Sequence, residues 1–132
     1  MVSGYNKKQT CVFFMNFHYI WCPKYRRSVL TGKVATRCEE LIREKVSQLD
    51  GETIALEVMP DHVHLFVSMP PTISANKIIG QVKGYTSKVL RQEFKQELKK
   101  LPTLWTRSYC VSTHGQVSSE GIQRYIAEQK GK

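Results

Sequence analysis

Two pairs of residues in this 132-residue chain carry donor atoms at spacings that suit metal-assisted phosphoryl chemistry. The first is His62 and His64, inside Pro60-Asp61-His62-Val63-His64-Leu65-Phe66-Val67. Side chains alternate faces along a strand, so both imidazoles emerge on one side of a sheet, with Cα atoms roughly 6.5 Å apart, and can converge on one divalent ion. A His-x-His on a sheet face more often just hydrogen-bonds or meets solvent, and that reading stands beside the metal one. The second pair, Tyr125 and Gln129, is four residues apart and shares one face of a helix. Its ordinary meaning is amphipathic packing. Its chemical meaning is a phenol that attacks a phosphodiester beside an amide oxygen that serves as a third, neutral ligand. An ion held by two imidazoles and an amide keeps its full charge and can polarise a phosphate, with Arg124 as a cationic neighbour.

These groups need a scaffold, and the apolar periodicity supplies one. Cys11 to Cys22 alternates as a strand, with Phe13, Met15, Phe17, Tyr19 and Trp21 on one side and Asn16 and His18 on the other. If Asn16 and His18 share the histidine face, they are candidates to support the ligands or are simply hydrogen-bonded strand residues. Ala35 to Leu49 has helical spacing through Cys38, Leu41, Ile42, Lys45, Val46 and Leu49. Thr53 to Met59 and His62 to Met69 read as strands joined at the Pro60-Asp61 corner. Ser74 caps a helix whose apolar stripe is Ile78, Val82, Tyr85 and Val89, with Lys77, Lys88, Arg91 and Lys95 on another side. Glu97 to Pro102 reads as a polar connection and Leu104 to Thr113 as a fourth strand. Ser118 to Gln129 then reads as a final helix capped by Ser118 or Ser119, with Ile122 and Ile126 on a face that could dock onto the sheet.

The order β-α-β-β-α-β matches the α+β ferredoxin-like plan, an antiparallel four-stranded sheet with its first and third strands central and two helices on one face; an additional C-terminal helix carries the tyrosine. The length suits a single domain over residues 1–132. Val63, Leu65 and Val67 should meet the helices, which leaves His62 and His64 on the open face.

Lys and Arg number 20 against 11 Asp and Glu, an excess of nine positive charges that favours a polyanionic partner, nucleic acid ahead of a membrane surface. Lys24, Arg26, Arg27, Lys77, Lys83, Lys88 and Arg91 are the candidate DNA contacts. The four cysteines, Cys11, Cys22, Cys38 and Cys110, lack C-x-x-C spacing, and the chain opens without an export signal, so a reduced cytoplasmic protein is expected. The stretch from Cys11 to Trp21 falls short of the roughly 20 apolar residues that span a bilayer. A cysteine zinc site is disfavoured, and no nucleophile-elbow pattern is present. A base-stacking module without catalysis and a phosphoesterase using activated water remain alternatives.

At these residues the chain resembles the single-tyrosine HUH transposases of small bacterial and archaeal insertion sequences, the IS200-like transposases. The resemblance runs nearly end to end through five ordered blocks: His18 to Arg27, Pro60 to Leu65, Lys83 to Ser87, Trp105 with Tyr109, and Tyr125 to Gln129. It implies that His62, His64 and Gln129 bind Mg²⁺ or Mn²⁺ and that Tyr125 cleaves single-stranded DNA at hairpins near the element ends. The products would be a 5′-phosphotyrosine and a free 3′-OH, and reversal of the attack reseals a strand without ATP. It also implies a homodimer in which each tyrosine helix completes the partner's histidine site. Between Thr113 and the last helix, His114-Gly115-Gln116-Val117 offers Gly115 as a pivot, with a reach of roughly 17 Å. A domesticated relative that cuts repetitive hairpins, or a copy that binds without cutting, are the alternatives within the family. The chain departs from the family pattern at Ser108, where Gly is usual before Tyr109, and it stops three residues after Gln129, a short tail that would let that ligand fray.

Overall fold

The computed structural model describes residues 14–113 and 119–132. Strand β1 (Met15–Trp21) leads through a 3-10 turn at Lys24–Arg26 to helix α1 (Gly32–Gln48), then strands β2 (Glu52–Met59) and β3 (His62–Met69). Helix α2 (Ala75–Glu93), a short helix α3 (Lys95–Leu98), strand β4 (Cys110–Ser112) and helix α4 (Ser119–Glu128) complete the chain. The strands form one antiparallel sheet in the order β2-β3-β1-β4, so the first and third strands are central, as the ferredoxin-like plan requires.

Alternation along β3 decides which face the helices cover. Val63, Leu65 and Val67 are buried, together with Tyr19 and Trp21 of β1, against Val34, Cys38, Leu41, Ile42 and Val46 of α1 and Ile78, Ile79, Val82 and Leu90 of α2. The Tyr19 hydroxyl donates to the Ala75 carbonyl at 2.7 Å and ties β1 to the start of α2. At that start the Ser74 hydroxyl accepts the Lys77 backbone N–H at 3.1 Å, the expected cap. With both long helices on one side, the opposite side of the sheet carries His62, His64 and Phe66.

The α2 stripe is turned by one residue from the periodic reading. Thr86 and Leu90 fill the core, while Tyr85 and Val89 are only partly buried and Tyr85 hydrogen-bonds Glu44 of α1. A threonine is tolerated there because its hydroxyl donates to the Val82 carbonyl and accepts the Trp105 indole N–H at 2.9 Å.

Two connections differ from expectation. Glu97 to Pro102 is not simply polar: α3 precedes and overlaps it, and Leu98 and Leu101 are buried. Leu104 to Cys110 is no strand before Cys110. Leu104, Trp105 and Thr106 are core residues of an irregular segment that meets the end of β1 through the Pro23–Trp105 bridge and the Thr106 N–H to Cys22 carbonyl bond. Apolar residues that plug the end of a sheet mimic strand alternation in sequence. Residues 11–13 of the first predicted strand, the Ser118 cap and the Gly115 pivot lie outside the described residues. No helix among the described residues is long and apolar enough to cross a membrane.

Candidate active site on the open face of the sheet

The two histidines do share the open face. Their ring centroids are 5.1 Å apart, and His18 of β1 stands 5.9 Å from His64. His62 Nδ1 lies 2.8 Å from Asp61 Oδ1. An ionised carboxylate only accepts, so Nδ1 carries the proton and Nε2 keeps the lone pair that a metal would take. The second carboxylate oxygen, Asp61 Oδ2, receives Arg26 Nε at 3.3 Å, which holds the carboxylate in place. This carboxylate–imidazole arrangement is the usual support behind a metal-ligating histidine. Asp61 was legible only as a corner residue; its adjacency to His62 was the available signal. Burial first, then His62 and His18, push the His64 imidazole below its ordinary value, so it is neutral and able to ligate at pH 7.

His18 lies beside the pair, whereas Asn16 pairs with Ser68, beyond Phe66 and away from it. The reading of His18 as a hydrogen-bonded strand histidine fails at one atom: its Nδ1 is buried with no partner among the described residues. Burial also lowers its pKa. Its ring stacks at a tilt on Phe66, 5.6 Å away.

Helix α4 turns the Tyr125/Gln129 face toward the body. Gln129 is 5% exposed. Ser108 Oγ lies 2.9 Å from Gln129 Oε1 and 3.2 Å from the Tyr125 hydroxyl, so one serine meets both groups. Burial pushes the Tyr125 phenol up to about 12, an effect opposed by the neighbouring Ser108 and Thr106 hydroxyls and reinforced by Cys22 and Cys110. Those neighbours place the phenol. Across the sheet His64 pairs with Ile20, and Ile20 pairs with Cys110, so these three side chains share the open face. Ile20 is fully buried although both long helices lie on the other side. The tyrosine helix therefore lies along the β1–β4 edge of the histidine face, and two strand spacings, about 10 Å, separate the β3 row from the β4 row.

Two further bonds hold α4: Arg26 Nη1 donates to the Ile126 carbonyl at 3.2 Å, and the Tyr25 N–H donates to the Lys132 carbonyl at 3.2 Å. Lys132 is thereby tied to the turn after β1. Tyr25 and Arg26 reach these partners from left-handed backbone, with φ of 60° and 53°. Such conformations cost energy in non-glycine residues, and here the surrounding bonds to Asp61 and α4 compensate.

The candidate DNA contacts separate into groups. Lys24, Arg26 and Arg27 flank the Asp61–His62 corner, with Arg27 exposed and Arg26 committed to Asp61 and Ile126. Lys77, Lys88 and Arg91 belong to α2, behind the sheet, and Arg91 Nη1 donates to the Leu101 carbonyl at 2.9 Å. Lys83 is an internal strut: Nζ donates to the carbonyls of Thr106 at 2.6 Å and Ser108 at 3.1 Å. Burial lowers its pKa from 10.5 to about 8. Because the folded chain binds fewer protons there than the unfolded one, this group adds stability as pH rises from about 8 to 10.5 and withdraws it below about 8. Urea unfolding of wild type and Lys83→Met at pH 7.5 and pH 10 should show the wild type gaining about 1–2 kcal/mol relative to the variant, after allowance for solvent screening. Equal differences at both pH values would mean that the ammonium is not desolvated.

Known proteins resemble this chain in sequence and in fold. The family model described as "Transposase IS200 like" matches residues 11–129. The ISDra2 transposase TnpA of Deinococcus radiodurans is 37% identical over 123 residues, covering 92% of this chain and 88% of that protein. The transposase for insertion sequence element IS200 of Salmonella typhimurium is 29% identical over 116 residues, 86% of this chain and 75% of that protein. Among solved structures, a candidate transposase from Deinococcus radiodurans R1 superposes with a TM-score of 0.83 at 32% identity, covering 96% of this chain and 99% of the other. A REP-associated tyrosine transposase bound to a REP hairpin shares the fold, with a TM-score of 0.56 at 14% identity over 89% of this chain and 67% of that one. A family model that matches residues 11–129 and a transposase 37% identical over 92% of the chain show that the protein belongs to the IS200-like transposase family.

Proposed function

We propose that the protein is a metal-dependent single-strand DNA endonuclease and strand transferase that cuts and rejoins insertion-sequence ends through Tyr125. The observation that carries this reading is a His62–His64 pair on the open sheet face together with Tyr125 and Gln129 gathered at Ser108, beside the β4 edge of that sheet. Tyr125 Oη attacks the scissile phosphorus, the Tyr O–P bond forms and the P–O3′ bond breaks. The phenol gives up its proton, the 3′ oxygen leaves as a hydroxyl, and the 5′ end stays on the protein as a phosphotyrosine. The reverse attack by a 3′-OH rejoins a strand.

The donor set suits Mg²⁺ or Mn²⁺. Asp61 fixes the tautomer of His62, His64 is held neutral, and the Gln129 oxygen keeps a second lone pair beyond the one that Ser108 engages. When bound there, a divalent ion would polarise the phosphate and stabilise charge developing in the transition state. A DNA hairpin at the element end is the proposed partner, consistent with the positive excess and with the hairpin held by the REP-associated relative. In the single chain, α4 docks on its own body; a homodimer that exchanges α4 would rebuild the same contacts between copies.

Covalent capture tests the proposal. Labelled single-stranded hairpin DNA from an element end, incubated with the protein and Mn²⁺, should yield an adduct that survives SDS and whose phosphate maps to tyrosine. Tight hairpin binding with no adduct at any metal concentration would leave a nucleic-acid-binding module; cleavage with no adduct would indicate an activated water.

A further inference from the structure

The contact that ties the two halves of the tyrosine helix's active face together is Ser108, and we propose that Ser108 is a positioning residue that sets both the nucleophile and the amide ligand. The inference rests on the Tyr125 reading above and names a residue that sets its geometry. A serine hydroxyl has one proton. Gln129 Oε1, 2.9 Å away, only accepts, so Ser108 donates there; the Tyr125 hydroxyl, 3.2 Å away, must then donate to Ser108. The result is a directed chain, Tyr125 O–H to Ser108 O–H to Gln129 Oε1.

Direction matters for both ends. With its proton aimed at Ser108, the phenol keeps its oxygen lone pairs turned away from the serine, free for a phosphorus. An amide can rotate by a half-turn and present NH₂, which cannot ligate a cation. The Ser108 O–H points at the amide, and Oε1 is the amide atom that accepts it, so the contact favours the rotamer that keeps the oxygen on this side. Removing the hydroxyl frees both groups at once.

Ser108 can do this because its backbone is held independently. Its carbonyl accepts from Lys83 Nζ at 3.1 Å and from Thr106 Oγ1 at 3.3 Å, just after Leu104, Trp105 and Thr106 anchor the segment in the core. The bonds from Arg26 to α4 and from Tyr25 to Lys132 end on backbone carbonyls; they place the helix and the residues after it without orienting either side chain.

Ser108→Ala removes the hydroxyl and leaves those backbone bonds, and Ser108→Thr restores it. On saturating hairpin DNA, the alanine variant should form adduct about 10–100-fold more slowly in single turnover, the scale on which small misplacements of reacting groups act. Calorimetric titration with Mn²⁺ in the absence of DNA should show affinity lowered about 10-fold, the scale of losing an outer contact to a ligand. Hairpin affinity should stay within about twofold, because phosphate contacts dominate it. The threonine variant should recover most of both losses. A merely structural serine would move the melting temperature and leave Mn²⁺ affinity alone. Wild-type values of adduct rate and Mn²⁺ affinity in the alanine variant, or a threonine variant as defective as alanine, would overturn the assignment. Should the wild type give no adduct while its Mn²⁺ affinity still depends on Ser108, the strand-transfer reading fails and the positioning of Gln129 stands.

Discussion

Tyr125→Phe should abolish the SDS-resistant adduct, a loss of at least about 10³-fold in single-turnover rate, while hairpin affinity stays within a few-fold of wild type. The substitution removes one oxygen, and with it the only atom of that side chain that can bond phosphorus. Stability should fall by only about 0.5–1.5 kcal/mol, since a single hydrogen bond to Ser108 is lost while Gln129 and the Arg26 bond to Ile126 still hold α4. The other described tyrosines serve as controls. Tyr19 is buried on the helix side and bonded to Ala75, Tyr85 is bonded to Glu44 between the helices, and Tyr109 donates to Asn76 at 2.9 Å. Tyr25 is exposed, and it is its backbone N–H that bonds Lys132 beyond α4. Phe at Tyr109 or Tyr25 should leave the adduct in place. An adduct that persists in Tyr125→Phe would move the nucleophile elsewhere and detach α4 from the chemistry.

Why the Tyr125/Gln129 face and the histidine pair are legible in the sequence, and the Ser108 contact is not, follows from how each is specified. Strand β3 is legible to the residue because Val63, Leu65 and Val67 alternate with His62, His64 and Phe66, and a one-residue slip would bury the imidazoles and expose the valines. The pairing of Tyr125 with Gln129 needs only the helical repeat. Ser108 sits instead in an irregular segment, where no period fixes a direction, and its contacts appear only once α4 is laid against it. The same segment misled the fourth strand: Leu104 and Trp105 are apolar because they plug the end of the sheet, and only Cys110–Ser112 pairs with β1. In α2, a buried Thr86 and a half-exposed Tyr85 invert what hydrophobicity predicts, because an indole N–H from Trp105 waits in the core for an acceptor. The basic stripe on that helix shows the same limit. Periodicity grouped Lys77, Lys88 and Arg91, yet it could not show that their helix lies on the far side of the sheet from the histidines.

Removing an imidazole leaves every lysine and arginine in place, and this makes the second large effect specific to cleavage. His62→Ala and His64→Ala should each lower single-turnover cleavage by about 10²–10³-fold, and EDTA should silence the wild type to the same degree. Hairpin affinity should change by less than about threefold in both variants, because the positive excess that attracts phosphate resides in lysines and arginines that these substitutions leave intact. Asp61→Asn provides the graded case. It keeps both ligands but replaces the carboxylate that orients His62 and pairs with Arg26, so Mn²⁺ affinity should fall about 10–100-fold and high Mn²⁺ should recover much of the rate. High Mn²⁺ should do far less for the alanine variants, which lack a donor atom rather than its support. If cleavage and binding instead fell together in His62→Ala and His64→Ala, with no response to Mn²⁺, the imidazoles would be contacting DNA directly. The open face would then be a recognition surface, with any catalysis carried by Tyr125 alone.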